Sequence, residues 1–474
     1  MITSYDRSSS GELVGPSGPG LRDGDLSVRL FSHGTGVQRA ANLLPQGIQA
    51  SSSHATQAQT PTTIPKMMWI WTITVSIALA AWTHGAPQPA PPTELPPQSV
   101  LIDPRAFAVL GTNGPFRMSS FTQFFNPTNT SPPFFQIFDP AFLTVLGHTP
   151  SIRVVASNPT FAFAHEAPIW VPSTDEVFFA SNDGGLLGMS NLEHNNQVSS
   201  ISLRAVAAAI RASGSATTPL NVSTTKLDLP DTVQMTNGGT GPYNGSLVLV
   251  NSGRGALPPV LALVNPAPPH NTTVLLDNYF GRQFNSLNDV KVRPGTDRLF
   301  FTDPDYGWLM QFRPLPLMPN QVYRFDPSTS EVRVIADGFD KPNGIAFSSD
   351  GNTAFIADSA ASGGFLGNNQ TDPATIYAFD VDPTTEAFLN RRVFTYVDTG
   401  IADGLQLDTA GNMYAGCADG VHVWNAGGTL LGKFFLGTTS ANMVFAGDGR
   451  LVIMAETAIF LAQIAANATK LEFP

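Results

Sequence analysis

The sequence predicts an all-β protein, a six-bladed β-propeller that occupies residues 99–474. Short apolar runs alternate with turn clusters over this range, as in DVKVRPGTDRLFFTD, GIAFSSDGNTAFIADS and MVFAGDGRLVIMA. Each stretch is typical of a hairpin, because two strand-like runs flank a turn that contains Gly with Asp, Asn or Thr. The hairpins recur about 40 to 60 residues apart with further strand candidates between them, which is typical of four-stranded propeller blades.

Composition agrees with a chain rich in strands and turns. The 474 residues include 42 Gly, 39 Pro and 32 Phe, and only 13% of the residues are charged, unlike a helical or coiled-coil protein. A β-sandwich would contain fewer and more uniform strands, and a parallel β-helix would show shorter repeats. The stretch SISLRAVAAAIRAS predicts one helical insertion at residues 200–213.

The chain before the propeller divides into three segments. Residues 1–65 are rich in Ser, Gly, Thr, Gln and Pro, which predicts a disordered or spurious N-terminal extension. Residues 66–86 contain the uncharged run WIWTITVSIALAAW followed by small residues, which is typical of a secretory signal peptide. Residues 87–98 form a proline-rich linker.

The signal-like segment lies unusually far from Met1. Either translation starts at Met67 or Met68, or the segment is a signal anchor that keeps its upstream residues. The first alternative is favoured because the apolar run is shorter than the roughly 20 residues of a membrane-spanning helix. We therefore expect a secreted protein with no stable membrane span.

Six Asn-X-Ser/Thr sequons support an extracellular, N-glycosylated protein. Their asparagines are Asn129, Asn221, Asn244, Asn271, Asn369 and Asn467. Cys417 is the only cysteine, so no intrachain disulfide forms, and we expect it to be a small buried apolar residue. The formal charge of −11 argues against nucleic acid and anionic membranes as partners. Oligomeric state is not defined by the sequence.

Four segments place carboxylates or carboxamides just before strand-like runs. They contain Glu166 in HEAPIW, Asn288 and Asp289 in NSLND, Asn343 in KPNGIAF and Asp403 in IADGLQL. The innermost strands of a propeller line its channel, so equivalent positions in different blades meet at one mouth. Several carboxylate and carboxamide oxygens together suit Ca²⁺ or another divalent metal.

Each segment also has a structural explanation. Asn343-Gly344 and Asp403-Gly404 are pairs that commonly form turns. Glu166 is harder to explain in this way, because its neighbourhood is apolar and a buried carboxylate needs a cation or strong donors.

Further candidates are weaker. His165 is a candidate for orienting substrate or shuttling a proton, with packing as the alternative, and Asn237 in MTNGGT either lines the pocket or belongs to a tight turn. The segment TDPDYGW, residues 302–308, supplies either pocket-facing side chains or an Asp-capped turn, and His422 in VHVW is expected to be structural.

The motifs resemble the senescence-marker-protein and gluconolactonase superfamily of six-bladed propellers. NSLNDVKV, FTDPDYGW and KPNGIAFSSDGNTAFIADS are similar to its recurring phrases, while HEAPIWVPSTDEVFFASN and YAGCADGVHVWNAGGTLLGK are similar to secreted fungal lactonohydrolases. The resemblance covers about residues 100–474 and is more specific for fold than for substrate.

The resemblance implies a set of roles. Glu166, Asn343 and Asp403 would bind a divalent metal, usually Ca²⁺, and Asn288 would be a metal or substrate ligand. Asp403 would also be the general base or nucleophile. Ala167 departs from the glycine of many relatives, which adds only a methyl group near the channel.

The resulting hypothesis is a secreted, Ca²⁺-dependent lactonase that acts on aldonate or related lactones. Asn288, Asp289, Asn237 and His165 would contact this small-molecule substrate. The alternatives are an organophosphate or arylester hydrolase that uses the same metal site, and a propeller that binds a ligand without catalysis.

Overall fold

The computed structural model describes residues 94–112 and 114–469. Within these residues, the strands are β1 Ser99–Leu101, β2 Phe134–Ile137, β3 Ser151–Ser157, β4 Glu166–Val171, β5 Glu176–Ala180, β6 Val198–Ser202, β7 Thr225–Lys226, β8 Thr236–Tyr243, β9 Ser246–Asn251, β10 Val260–Val264, β11 Thr272–Leu276, β12 Val290–Val292, β13 Leu299–Asp303, β14 Gln321–Asp326, β15 Glu331–Ala336, β16 Pro342–Phe347, β17 Thr353–Asp358, β18 Thr375–Val381, β19 Phe388–Tyr396, β20 Leu405–Leu407, β21 Met413–Cys417, β22 Gly420–Trp424, β23 Leu430–Phe435, β24 Asn442–Phe445, β25 Arg450–Ala455 and β26 Ala458–Gln463. The helices are α1 Phe142–Leu146, α2 Gly185–Gly188, α3 Leu203–Ser213 and α4 Tyr306–Leu309, with 3-10 turns at Pro104–Ala106 and Gly364–Leu366.

The strands form six sheets, which confirms the predicted six-bladed propeller. Blades 1 to 4 are the consecutive sets β4–β7, β8–β11, β12–β15 and β16–β19. Blade 5 has the order β20-β21-β22-β23-β2-β1, and blade 6 has the order β24-β25-β26-β3. The first strand of each blade is the inner one, and the inner strands contact each other in cyclic order, with β24 against β4.

The ring is closed by a strand from the N-terminal side of the propeller. β3 pairs antiparallel with β26, with Ser157 opposite Ala458 and Ser151 opposite Gln463. β2 and β1 add two further strands to the outer edge of blade 5. Residues far apart in the chain therefore complete blades 5 and 6, which fixes the two ends of the ring together.

The hydrophobic core lies between neighbouring blades. One cluster joins blades 3 and 4, where the rings of Phe300 and Phe347 lie 5.1 Å apart. Another joins blades 5 and 6 and includes Tyr414 and Phe445 at 5.1 Å. Because the strands are packed on both faces, their sequences are nearly continuous apolar runs.

Several expectations can be compared with this fold. Helix α3 begins at Leu203 rather than residue 200, because Ser202 ends β6 and caps the helix by accepting a hydrogen bond from the Ala205 N–H at 3.3 Å. Cys417 is buried, as expected. In the described part of the chain, no helix is long and apolar enough to cross a membrane.

The predicted N-terminal segments are not covered by the structure. Residues 1–65 and 66–86 lie outside the described residues, as does most of the linker at residues 87–98. Their assignment as extension, signal peptide and linker stays a prediction.

Candidate active site

The mouth of the channel is surrounded by polar side chains at or near the start of every inner strand. Blades 1 to 6 contribute, in order, Glu166, Asn237, Asn288 with Asp289, Asn343, Asp403 and Asn442. A ring nitrogen of His165 and carboxylate oxygens of Glu166 and Asp403 all lie within 4.8 Å of one another. The side chain of Asn343 lies close enough to Asp403 to lower the pKa of that carboxyl group, against the larger effect of burial, which raises it. Glu166, Asn343 and Asp403 are therefore brought together from blades 1, 4 and 5.

Irregular pairing near the start of the inner strands places these groups. The register of β4 shifts between Glu166 and Ile169, that of β8 between Thr236 and Gly239, and that of β16 between Pro342 and Ile345. In each case two residues oppose one on the neighbouring strand, as in a β-bulge, which bends the strand and redirects a side chain. The same kind of β-bulge therefore occurs in the inner strands of blades 1, 2 and 4.

Close packing of the inner strands explains two glycines. A Cβ atom at Gly344 would collide with the backbone oxygen of Asp403, and one at Gly404 would collide with the carboxamide of Asn442. Gly344 lies within β16, so the alternative of a simple turn at Asn343-Gly344 is wrong. At both positions glycine is needed for the approach of the next blade, because neither has a positive φ angle.

Glu166 is held by the inner strand of blade 6. Its Oε2 atom accepts hydrogen bonds from Asn442 Nδ2 at 2.7 Å and from the Ala167 N–H at 3.2 Å. Burial and the nearby carboxylate of Asp403 raise the pKa of Glu166 well above its usual range. Burial also raises the pKa of Asp403, to about 6. Two carboxylates desolvated side by side favour a bound cation.

Ala167 has a left-handed backbone, with φ at +50°. This conformation is unfavourable for a residue with a Cβ atom and is readily adopted by glycine. The expectation that Ala167 only adds a methyl group near the channel is therefore incomplete, because the residue also lies in a strained position directly after Glu166.

His165 belongs to a network that sequence reasoning missed. Its Nδ1 atom lies 2.8 Å from Oε1 of Glu456, and the Glu456 Oε2 atom accepts a hydrogen bond from Asn182 at 2.9 Å. Burial alone would lower the pKa of His165. The negative charges of Glu456, Glu166 and Asp403 together have a larger, opposite effect and raise the pKa to about 10. The ring is therefore held by a polar contact, and its role towards a substrate stays a prediction.

Asn237 lies inside β8, so it is not part of a tight turn. Its Nδ2 atom donates a hydrogen bond to Asp183 at 2.9 Å. Asp183 is buried, which raises its pKa. Neither Asp183 nor Glu456 was predicted, because both lie in loops or turns with no distinctive local pattern.

The two blade 3 candidates differ in their contacts. The Oδ1 atom of Asn288 is buried and has no hydrogen-bond partner among the described residues. Asp289 is fully engaged, since its oxygens accept from the N–H groups of Val290 and Ile345 and from the Lys291 ammonium at 3.2 Å. Its contacts tie β12 to β16, and a role in binding substrate stays a prediction.

Of the remaining candidates, Tyr306 lies next to the site, whereas Asp303 and His422 have structural contacts. Tyr306 hydrogen-bonds through its hydroxyl to Ser359 Oγ at 2.7 Å, and Asn343 Nδ2 donates to the same Oγ at 3.1 Å, so Tyr306 adjoins the site. Asp303 instead accepts hydrogen bonds from the N–H groups of a neighbouring loop. His422 is fully buried within blade 5, as expected of a structural residue.

Loops from blades 1 to 4 form a cap above the mouth. In an antiparallel blade, the loop between the second and third strands lies on the side where the inner strand begins. Gly184 of the blade 1 loop contacts Met310 of the blade 3 loop, and Trp308 packs on Phe365 of the blade 4 loop with ring centroids 5.2 Å apart. The corresponding loops of blades 5 and 6 are only short turns.

A cavity of about 1060 Å³ lies elsewhere on the molecule. It is bounded by residues 106–139 and by the edge of blade 5, with Phe107, Phe125 and Phe138 among its walls. None of the predicted site residues lines it, so the size of a cavity does not identify the site in this protein.

The charges and donors at the mouth fit a divalent cation. Glu166, Asp183, Asp403 and Glu456 supply four carboxylates near one histidine. Carboxylate and carboxamide oxygens are the ligands that Ca²⁺ prefers. The unpartnered Oδ1 of Asn288 is a further donor that a cation would satisfy.

Fold and site together define a six-bladed propeller with an acidic, oxygen-rich centre at one end of its channel. Residues 165–457 match the family described as the SMP-30/Gluconolactonase/LRE-like region, and the chain belongs to this family. The family expected from the sequence motifs is thereby confirmed.

Individual relatives agree with this assignment. Lactonohydrolase oryL of Aspergillus oryzae is 27% identical over 345 residues, which cover 68% of this chain and 73% of that protein. Lactonohydrolase oryH of the same organism is 26% identical and covers 69% of this chain and 80% of that protein. The solved structure of XC5397 from Xanthomonas campestris, described as a gluconolactonase, matches with a TM-score of 0.54 at 23% identity, covering 71% of this chain and 96% of that chain. This last likeness concerns the fold.

Proposed function

We propose that the protein is a Ca²⁺-dependent lactonase that hydrolyses the ester bond of aldonate or related lactones. The observation that carries the proposal is the convergence of Glu166, Asp403 and His165 within 4.8 Å at the channel mouth. The names of the Aspergillus oryzae relatives support lactones as the substrate class. The identity of the cation, the substrate and the roles of the residues are all parts of the proposal.

Glu166, Asn343, Asp403 and Asn288 would hold the metal. They come from blades 1, 4, 5 and 3, so the cation would join four blades. A bound divalent cation polarises a carbonyl group and stabilises the negative charge that develops on its oxygen. The carboxamides supply oxygen atoms without adding charge, which keeps the centre electrophilic.

The side chains at the mouth would carry the protons of the reaction. A carboxylate oxygen of Asp403 accepts a proton from the attacking water while the water oxygen bonds to the carbonyl carbon. The bond between that carbon and the ring oxygen then breaks, and Nε2 of His165 donates a proton to the leaving oxygen. The proton held by Asp403 then passes to the imidazole, which restores both groups. Asn237 and Asp289 remain candidates for orienting the substrate.

A lactone panel tests this function. We expect proton release on hydrolysis of at least one lactone, its loss with a chelator, and its return on addition of Ca²⁺. Activity on organophosphates or aryl esters with none on lactones would favour the alternative hydrolase. Saturable binding of lactones without proton release would favour a propeller that only binds its ligand.

We also propose that the mature protein is secreted and N-glycosylated. All six sequon asparagines lie on the exposed surface, which makes them accessible to modification. N-terminal sequencing of protein from the medium of expressing cells should find a start after residue 66. Digestion with an N-glycosidase should reduce its apparent mass, and an unchanged mass would contradict glycosylation.

A further inference from the structure

Glu456 lies where the last blade meets the first. It occupies the two-residue turn between β25 and β26 and has a left-handed backbone, with φ at +59°. Its carbonyl oxygen accepts a hydrogen bond from the Ala164 N–H at 3.0 Å. This bond fixes the turn of blade 6 against the residue that precedes His165.

The side chain of Glu456 binds two groups of blade 1. Oε1 lies 2.8 Å from Nδ1 of His165, and Oε2 accepts from Asn182 Nδ2 at 2.9 Å. Asn182 precedes helix α2 in the loop between β5 and β6. Both carboxylate oxygens are therefore used, which restricts the orientation of the carboxylate and of the imidazole.

The contact with Glu456 determines which nitrogen of His165 is available. The hydrogen bonds of the His165 ring to described residues are at Nδ1, with Glu456 at 2.8 Å and Asn182 at 3.4 Å. The side chain of His165 retains 15% of its exposure. A histidine whose Nδ1 is engaged by a carboxylate presents Nε2 in a defined orientation and tautomer. The ring also lies beside Glu166 and Asp403.

We infer that Glu456, held by Asn182, is a positioning residue that fixes the His165 ring so that Nε2 faces the reacting lactone. This inference rests on the proposed function. Glu456 touches His165 rather than the substrate, so its effect on the reaction is through the orientation of the ring. The three residues span the seam between blades 6 and 1, so the orientation also depends on closure of the ring.

A double-mutant cycle tests the inference on the full chain. We expect Glu456→Ala to lower kcat about 10- to 100-fold at saturating Ca²⁺, because small displacements of a reacting group have effects of this size, while KM changes little. In a His165→Ala background, Glu456→Ala should cause no further loss of kcat. Glu456→Gln keeps a hydrogen-bond acceptor for Nδ1 and should recover most of the lost kcat.

Imidazole NMR supplies a readout that does not depend on activity. In protein labelled with ¹⁵N-histidine, the Nδ1–H signal of His165 should be protected from exchange in the wild type and in Glu456→Gln. The protection should be lost in Glu456→Ala. Glu193→Ala, which removes an exposed carboxylate from the cap loop, is the matched control and should leave both readouts unchanged.

The outcomes separate this inference from the proposed function. A wild type that hydrolyses no lactone overturns the proposed function. If the wild type is active and Glu456→Ala changes neither kcat nor the His165 signal, only the role of Glu456 is overturned. The same holds if the losses of kcat in Glu456→Ala and His165→Ala add fully in the double mutant. If Glu456→Ala does not fold, Asn182→Ala, which removes the group that holds Oε2 of Glu456, is the loss variant and should lower kcat in the same direction. Unchanged kcat and an unchanged His165 signal in Asn182→Ala would then overturn the inference.

Discussion

At the scale of single residues, the mouth of the channel combines burial with negative charge. Glu166 is 2% exposed, and burial together with Asp403 raises its pKa. Without a cation, such carboxylates are driven towards protonation, whereas a nearby positive charge favours their ionised form. A bound cation is therefore expected to keep Asp403 ionised, and so able to accept a proton, at pH values where its buried position alone would leave it protonated.

Asp403→Asn should separate chemistry from metal binding. The carboxamide keeps an oxygen for the cation but cannot accept a proton, so we expect kcat to fall by about 10²- to 10⁴-fold, with Ca²⁺ still bound at reduced affinity. Calorimetric titration with Ca²⁺ and a lactone assay would measure the two effects. Asp228→Asn changes an exposed carboxylate and is the control. Unchanged turnover in Asp403→Asn would remove its proposed role as base.

At the scale of elements, blade 5 contains a buried charge cluster on its second, third and fourth strands. Asp419 in the turn between β21 and β22 accepts from Lys433 Nζ of β23 at 3.1 Å and lies 2.6 Å from His422 Nε2 of β22. Asp419 and His422 are 0% exposed, and Lys433 is 1% exposed. The cluster holds β21, β22 and β23 together. These strands support β20, the inner strand that follows Asp403. Asp398 also accepts a hydrogen bond from Lys433 at 2.8 Å, so two carboxylates share the ammonium.

Asp419→Asn should destabilise the protein by about 1–3 kcal/mol near neutral pH, because it removes one of the two carboxylates that bind Lys433 and leaves Asp398 at 2.8 Å. Burial alone would raise the pKa of Asp419, but Lys433 and His422 lower it below its ordinary value. Because the pKa is lower in the folded than in the unfolded protein, the stabilisation is complete above about pH 4 and is lost as the pH falls further.

Thermal unfolding between pH 3 and pH 7 would test this dependence. The difference between wild type and Asp419→Asn should be full at pH 5 to 7 and should decrease below about pH 4. The exposed control Asp228→Asn should show little difference at any pH. A difference for Asp419→Asn that stays constant down to pH 3 would contradict the assigned ion pair.

At the scale of the whole molecule, the site depends on ring closure. Glu166 and His165 belong to blade 1, whereas Asn442 and Glu456, which bind them, belong to blade 6. Blade 6 is completed by β3, the strand that precedes blade 1 in the chain. The hydrogen bonds that hold the site thus join blade 6 to blade 1, and blade 6 is itself completed by the β3–β26 pairing that closes the propeller.

Truncations should reveal the importance of this seam. A chain that begins at Glu94 should unfold cooperatively. A chain that begins at His148 loses β1, β2 and α1, with the buried Phe135 and Phe142 of the cluster between blades 5 and 6, so it should unfold at a lower temperature while it keeps β3 and a closed ring. A chain that begins at Asn158 lacks β3 and leaves the edge of β26 unpaired, which should cause aggregation or loss of cooperative unfolding. Circular dichroism during heating and size-exclusion chromatography would measure this series. Cooperative unfolding of the shortest chain would contradict the role of β3.

Local sequence patterns determined the blades and the positions before their inner strands. Hairpin patterns depend on neighbouring residues, so strand starts at Glu166, Asn343 and Asp403 were visible without a structure. Asn182, Glu456 and Asn442 lie far from these residues in sequence, and nothing local marks them as partners. Only tertiary folding decided their contacts, since these form where the loops and inner strand of blade 6 pack against blade 1. Tertiary folding also decided the need for glycine at positions 344 and 404. The atoms that leave no room for a Cβ there belong to the next blade, in Asp403 and Asn442.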